Sequence, residues 1–385
     1  MKIAFVSNFY NHHQKPVADE LYSMTGVEYH FIETAKISEE RLKMGWGREE
    51  KPTYVLQSYT DQTAKENCQR IIDEADVVII GSAPRSLLET RLKNKKLTFY
   101  YSERIYKKKT PVYKYPVHFL KNIKHIIRHK NLYILCASAY TSADYAKVFT
   151  FKNKAYKWGY FTAVKEYENV DTLIEQKTEN SILWTARFID LKHPASAVEV
   201  AKRLKADGYD FKLSMIGSGE LEESIKDLIE KENLADCVKM LGSMKPEEVR
   251  EYMEKSEIFL FTSDRNEGWG AVLNESMNSA CAVVANSAIG SVPFLMKDGE
   301  NGYMYKDGNI DGLYEKVKKL LDNAEERKRL SKNAYKTMAE EYNPKNAAKK
   351  FVKLCERMLS GEYKPFPFED GVCSKAEILK DNWYR

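Results

Sequence analysis

Short apolar runs alternate with helix-period patterns along the first half of the chain. Ile3 to Phe9, Val27 to Ile32, Asp76 to Gly81, Leu97 to Tyr101 and Leu132 to Ser138 are rich in β-branched and aromatic residues and bounded by polar residues or glycine, which predicts buried strands. Pro16 to Met24, opening on proline, and Asp61 to Glu74 predict helices between them. The periodicity fades from Val164 to Asn180 and restarts at Ile182-Leu183-Trp184. The second half then repeats the plan. Strands are predicted at Ile182 to Phe188, Phe211 to Ile216, Val238 to Leu241, Ile258 to Thr262 and Ala282 to Ala285. Helices are predicted at Pro194 to Ala206, Glu220 to Glu232, Pro246 to Lys255 and Ala271 to Ala280, with further helical patterns from Ile310 to Leu359. Alternation of this kind predicts parallel sheets covered on both faces, so the expected class is α/β with two doubly wound, Rossmann-like domains. The expected bounds are 1–165 and 166–359, with a tail of about 360–385 packing back on the first domain. Ligands of open α/β sheets bind beyond the carboxyl ends of the strands, so the expected active site is a cleft where two such ends face each other.

A length of 385 residues fits two domains, because single cores stop growing near ~250 residues. The composition, 43% hydrophobic and 30% charged, is that of a globular chain. Met1 to Val6 turns polar at Ser7 and Asn8, too early for a signal peptide, and no run of ~18 apolar residues occurs, so a cytoplasmic location is expected. The six cysteines have no C-x-x-C spacing, which predicts reduced, buried thiols and no metal site. The net charge of +5 is unevenly spread: Arg91 to Lys130 holds 13 Lys or Arg against the single acid Glu103. Lys107-Lys108-Lys109, followed by Phe119, Leu120, Ile123, Ile126 and Ile127 among Lys121, Lys124 and Arg128, fits a peripheral anionic-membrane contact. It equally fits a solvated helix with a core-facing apolar side. Charge confined to one segment argues against nucleic acid as a partner.

The richest chemistry lies in Asn266-Glu267-Gly268-Trp269-Gly270-Ala271-Val272-Leu273-Asn274-Glu275-Ser276-Met277, after the strand ending Phe261-Thr262-Ser263. A strand running through a glycine-containing loop into a helix start offers backbone N–H groups suited to a diphosphate. Glu267 and Glu275, eight residues apart, can address different parts of one ligand; spacing alone equally fits a helix cap and a surface acid. Gly217-Ser218-Gly219 lacks the third glycine of a dinucleotide fingerprint, Glu222 standing in its place, which argues against NAD.

These blocks together resemble the large family 4 group of retaining GT-B glycosyltransferases, whose signature is a Glu, seven residues and a second Glu at such a helix. The resemblance covers nearly all of the second domain. It includes Trp184-Thr185-Ala186-Arg187-Phe188 with Lys192, Ile216-Gly217-Ser218-Gly219-Glu220, Leu241-Gly242-Ser243 and Asp298-Gly299-Glu300-Asn301-Gly302. It implies a transferase moving a sugar from a nucleotide-sugar donor, UDP-linked by preference and GDP-linked as an option, to a glycan or lipid-linked acceptor. It assigns Arg187 and Lys192 to the donor diphosphate, Glu275 to the ribose and Glu267 to the donor sugar. It also sets the backbone of Gly268, Trp269 and Gly270 along the phosphates or sugar, with Gly217 and Gly242 near the nucleotide. With side-chain cations on the diphosphate, neither metal nor cofactor is expected.

The first domain fits the pattern less well. Asn8-Phe9-Tyr10-Asn11-His12-His13-Gln14 stands where many relatives carry a glycine-rich loop, which offers Asn11, His12 and His13 to acceptor hydroxyls or a sugar phosphate. Tyr101-Ser102-Glu103-Arg104 stands where relatives carry a His, leaving Glu103 as an acceptor-side candidate, and Phe294 replaces a common Glu. Two rivals share the architecture: a nucleotide-sugar epimerase or hydrolase, and a non-catalytic nucleotide-sugar binder, which would not need both acids.

Overall fold

A computed structural model of the chain describes residues 1–39, 42, 51–107, 111, 113, 115–362 and 366–384, leaving aside the side chains of 121, 124 and 125. The chain forms two units, Met1–Ala163 with Asn343–Leu379, and Val164–Tyr342 with Lys380–Arg385. The first unit has seven parallel strands among the described residues: β1 (Lys2–Ser7), β2 (Glu28–Glu33), β3 (Val55–Gln57), β4 (Val77–Ile80), β5 (Leu97–Ser102), β6 (Leu132–Cys136) and β7 (Ala155–Lys157). Their order is β3-β2-β1-β4-β5-β6-β7. The second unit has six: β8 (Thr178–Thr185), β9 (Lys212–Ile216), β10 (Val238–Met240), β11 (Ser256–Phe261), β12 (Ala282–Asn286) and β13 (Tyr303–Tyr305), in the order β10-β9-β8-β11-β12-β13. Each is a doubly wound sheet whose strand order reverses at one point, between β1 and β4 in the first unit and between β8 and β11 in the second.

Helices cover both faces of the inner strands, so every residue of Val77–Ile80 and of Ala282–Asn286 is buried, Asn286 being the one polar residue among them. Pro194, Pro246 and Pro344 each open a helix, where their missing N–H has no intrahelical partner to lose. Asn343 caps the last helix, Pro344–Leu359, by accepting from the Asn346 N–H at 2.7 Å. That helix belongs to the first unit. Phe351 lies edge-on to Phe99 and Trp158, with ring centroids 5.4 and 5.5 Å away. The expected break after residue 359 therefore falls earlier, before Asn343, and the last residues from Lys380 return to the second unit. All six cysteines are buried free thiols.

Three cations of the basic segment hold the fold and are not available at its surface. Arg91 is buried and donates to Thr98 Oγ1 and to the carbonyls of Ile72, Ala75, Asp76 and Leu97. Lys96 Nζ donates to the carbonyls of Asp73 and Glu74 at 2.8 and 3.0 Å. Arg104 forms a buried ion pair with Asp144 at 3.3 Å. Lys108 and Lys109 lie outside the described residues, as do the side chains of Lys121 and Lys124. Among the described residues no helix is long and apolar enough to cross a membrane.

Candidate active site

In the second unit the candidate residues gather at the carboxyl ends of β8, β9, β10 and β11. The chain leaves β8 through Ala186 and Arg187 and makes a short 3-10 turn at Asp190–Lys192. It leaves β11 through Thr262 and Asp264 into the loop that carries Glu267. Backbone and side-chain hydrogen bonds tie the two exits together. The Asp264 N–H donates to the Leu191 carbonyl at 2.9 Å, and Thr262 Oγ1 donates to the Lys192 carbonyl at 2.6 Å while accepting from the Trp184 indole N–H at 2.8 Å. The result brings Lys192 Nζ onto Glu267 Oε2 as a mostly buried ion pair. It sits at the strand-order reversal between β8 and β11, the place where a doubly wound sheet opens a crevice.

The glycines are where backbone meets backbone. Gly217 has φ +135°, and a Cβ there would lie 1.9 Å from the Ala186 carbonyl oxygen. Its N–H donates to the Gly242 carbonyl at 2.8 Å, so the ends of β9 and β10 lie against the exit of β8. Gly270, at φ +80°, passes so close to Phe261 that a Cβ would meet the ring at 2.3 Å. The N–H groups of Gly268 and Gly270 make no hydrogen bond among the described residues. The Trp269 ring is fully buried, its indole N–H donating to Asn274 Oδ1 at 2.9 Å, so only its backbone faces the loop's open side.

The helix after this loop runs Val272–Asn278, one residue later than the expected start at Ala271 and two short of the expected end at Ala280, and Glu275 lies in its first turn. The Glu275 carboxyl makes no hydrogen bond among the described residues. Burial pushes its pKa up, and the Arg250 guanidinium draws it partly back. Arg250 is held there by the Glu275 carbonyl and by Asn278 Oδ1 and Ser279 Oγ, at 3.3, 3.0 and 3.0 Å. Arg187 is exposed and makes no ion pair among the described residues. Sequence reasoning missed Arg250, Asp264 and His193, whose Nε2 lies 3.3 Å from Asp264 Oδ2. Their motif neighbours carry no sign of these contacts, since each depends on an element brought in from elsewhere in the chain.

The first unit has its own opening at the reversal between β1 and β4, a cavity of about 630 Å³. Asn11, His13 and Glu103 line it together with Arg85 and Tyr160, whereas His12 does not. The Asn11 side chain is used in shaping its own turn, accepting from the His13 N–H at 2.9 Å. His13 stacks on Tyr160, ring centroids 5.3 Å apart, and burial with the neighbouring His12 lowers its pKa to about 3, so it is neutral at physiological pH. Glu103 accepts from the Tyr160 hydroxyl and from Lys107 Nζ, both at 2.6 Å. Arg85, which carries no motif, is exposed at the rim and lies over the Tyr100 ring at 5.1 Å.

Residues 166–337 match the family described as glycosyl transferases group 1. An uncharacterized glycosyltransferase of Methanocaldococcus jannaschii is 30% identical over 165 residues, 43% of this chain and 45% of that protein. An N-acetylgalactosamine-N,N'-diacetylbacillosaminyl-diphospho-undecaprenol 4-alpha-N-acetylgalactosaminyltransferase of Campylobacter jejuni is 31% identical over 172 residues, 45% of each chain. The chain thus spans less than half the length of these curated relatives. Among solved structures, the Anabaena protein HepE, crystallised with UDP, superposes with a TM-score of 0.68 at 13% identity, over 94% of this chain and 100% of that one. A Rickettsia africae glycosyltransferase superposes at 0.63 and 15% identity, over 93% and 98%. The two Rossmann-like sheets are those of the GT-B fold.

Proposed function

We propose that this chain, whose residues 166–337 are a group 1 glycosyl transferase domain, transfers a hexosyl group from a UDP-sugar to a glycan or lipid-linked acceptor in surface polysaccharide synthesis, with retention of anomeric configuration. The observation that carries the reading is the meeting of Lys192 and Glu267 at the strand-order reversal of that domain, on the same strand exits that carry the exposed Arg187 and lead into the half-buried Glu275. UDP as the carrier is supported by the nucleotide bound in the HepE crystals, and a lipid-linked acceptor by the Campylobacter relative's name.

The chemistry follows from charge. A nucleoside diphosphate is the leaving group, and it departs more easily when cations neutralise the charge it gains. Arg187 is exposed and its side chain makes no hydrogen bond or ion pair among the described residues, so it can turn onto the diphosphate at little cost. Lys192 is held by Glu267 until a donor enters. The incoming phosphates then compete for the ammonium, and the released Glu267 carboxylate accepts from a donor-sugar hydroxyl. The Glu275 carboxyl, which takes no hydrogen bond among the described residues, accepts from the ribose hydroxyls. The acceptor oxygen attacks the anomeric carbon on the face from which the phosphate leaves, the carbon–oxygen bond to the phosphate breaks, and the leaving phosphate oxygen takes the acceptor proton. No protein base is required, and no metal or cofactor enters the scheme.

Incubation with UDP-hexoses, with and without glycan and polyprenyl-diphosphate-sugar acceptors, tests it. Acceptor-dependent release of UDP together with an α-linked product from an α-linked donor is the expected result. Release that ignores the acceptor, or epimerised donor, would sink the transferase reading.

A further inference from the structure

The first unit carries an exposed apolar face that its own core does not explain. The helix Tyr115–Asn122 continues into a wider π turn, Ile123–Ile127. Its inner side is anchored: His118 Nδ1 lies 2.8 Å from the Tyr106 hydroxyl, Tyr115 lies 5.3 Å from the Tyr106 ring, and Ile126 is buried. A surface helix so anchored should expose polar residues on its other side. Here it exposes Val117 (53%), Leu120 (65%) and Ile127 (41%), and Phe149 (77%) joins them from a different segment, its ring 5.6 Å from Phe119.

Phe149 is also in an unfavourable backbone state. The short helix Thr141–Ala146 ends in a turn in which the Phe149 N–H donates to Ala146 and the Thr150 N–H to Tyr145. Phe149 takes the left-handed position of that turn, with φ +54°, where glycine is the unstrained choice. The strain brings little packing in return, since the ring points largely into solvent. A strained residue that presents an exposed aromatic ring beside other exposed apolar side chains is a candidate for contact outside the chain.

The charge of the segments that carry this face bears on what it contacts. From Arg104 to Lys154 the sequence has 12 Lys or Arg and one acid, Asp144, which is buried against Arg104 and Lys147. Arg128, Lys130 and Lys152 are exposed and make no ion pair among the described residues. Nucleic acid would use the cations but not protruding aliphatic side chains. A bilayer with anionic headgroups uses both, cations at the headgroups and Leu, Val and Phe among the acyl chains. We infer that Val117, Leu120, Ile127 and Phe149 form an insertion face that docks the first unit on an anionic membrane. The docking residues thus differ from the expected basic segment: Arg91, Lys96 and Arg104 take no part, and Phe149 lies outside it.

Co-sedimentation with phosphatidylcholine vesicles, with and without phosphatidylglycerol, at low and high salt, tests this without donor or acceptor, so its failure would leave the sugar-transfer proposal standing. Wild type should pellet with the anionic vesicles only, and less at high salt. Leu120→Ser and Phe149→Gly should each weaken partitioning roughly tenfold or more, because both remove several buried CH₂ equivalents. Phe149→Gly should melt close to wild type, since the lost ring contact is offset by relief of the left-handed backbone. Wild type that stays in the supernatant with anionic vesicles at low salt, undiminished binding by Leu120→Ser and Phe149→Gly, or a large drop in the melting temperature of Phe149→Gly would each overturn the proposal.

Discussion

Arg187→Ala separates a ligand contact from a fold contact more cleanly than any other substitution at the candidate site. The side chain is exposed and makes no ion pair among the described residues, so truncating it should change stability by no more than about 0.5 kcal/mol. If the guanidinium meets a diphosphate, its loss removes a charge-assisted contact worth about 1.5–3 kcal/mol, or roughly 10- to 150-fold in Kd. Thermal shift translates this into a readable number. At a UDP concentration of about 100 times the wild-type Kd, binding stabilises the fold by about 2.7 kcal/mol. A variant with a Kd raised about 30-fold has a ligand-to-Kd ratio near 3 at that concentration and gains only about 0.8 kcal/mol. At roughly 2–4 °C per kcal/mol for a domain of this size, the UDP-induced rise in Tm should shrink by about 4–8 °C while the ligand-free Tm stays put. Titration calorimetry gives the same Kd ratio directly. Arg187→Lys should recover only part of the loss, because an ammonium keeps the charge without the planar fork. A well-folded Arg187→Ala protein that binds UDP within twofold of wild type would refute the diphosphate assignment.

Glu275→Gln should weaken UDP binding yet raise the ligand-free Tm at neutral pH. Burial raises the folded carboxyl pKa above its unfolded value of about 4.3, so the stability associated with the proton is present at acid pH and lost as pH rises through that window. Equal ligand-free Tm values for wild type and variant at neutral pH would contradict the burial cost. His13 has the opposite sign: its folded pKa is lowered to about 3 against about 6.5 unfolded, so stability is present above 6.5 and falls by up to about 1.4 kcal/mol per pH unit below it. His13→Gln should therefore lose less stability than wild type between pH 7.5 and 5.5 in denaturant titrations, and identical losses would exclude a buried neutral ring. Transfer activity should persist in excess chelator, since among the described residues no group of three or more His, Cys, Asp or Glu is arranged to hold a metal ion; loss restored by Mg²⁺ or Mn²⁺ would count against this.

The sequence alone determined the alternation of strand and helix, because buried parallel strands must be apolar on both faces and runs such as Val77–Ile80 and Ala282–Asn286 have no other stable use. It also singled out Arg187, Lys192, Glu267 and Glu275 as candidates, since glycines and charged residues bunch at the strand exits. The edge-side strands β3, β7 and β13 were not legible: each is three residues long and forms where a neighbouring edge accepts it, whereas the equally short β10 lies within a predicted run, Val238 to Leu241. Tertiary structure decided the rest. The meeting of Lys192 with Glu267 depends on β8 and β11 being neighbours across 75 residues of chain, which the strand order sets and local sequence does not. The helix Pro344–Leu359 has the same apolar stripe whichever unit it packs on, and contact with Phe99 and Trp158 is what assigns it to the first. A count of lysines and arginines could not tell that Arg91 is sealed among carbonyls while Arg128 is in solvent, because a cation's availability depends on the acceptors that folding brings to it.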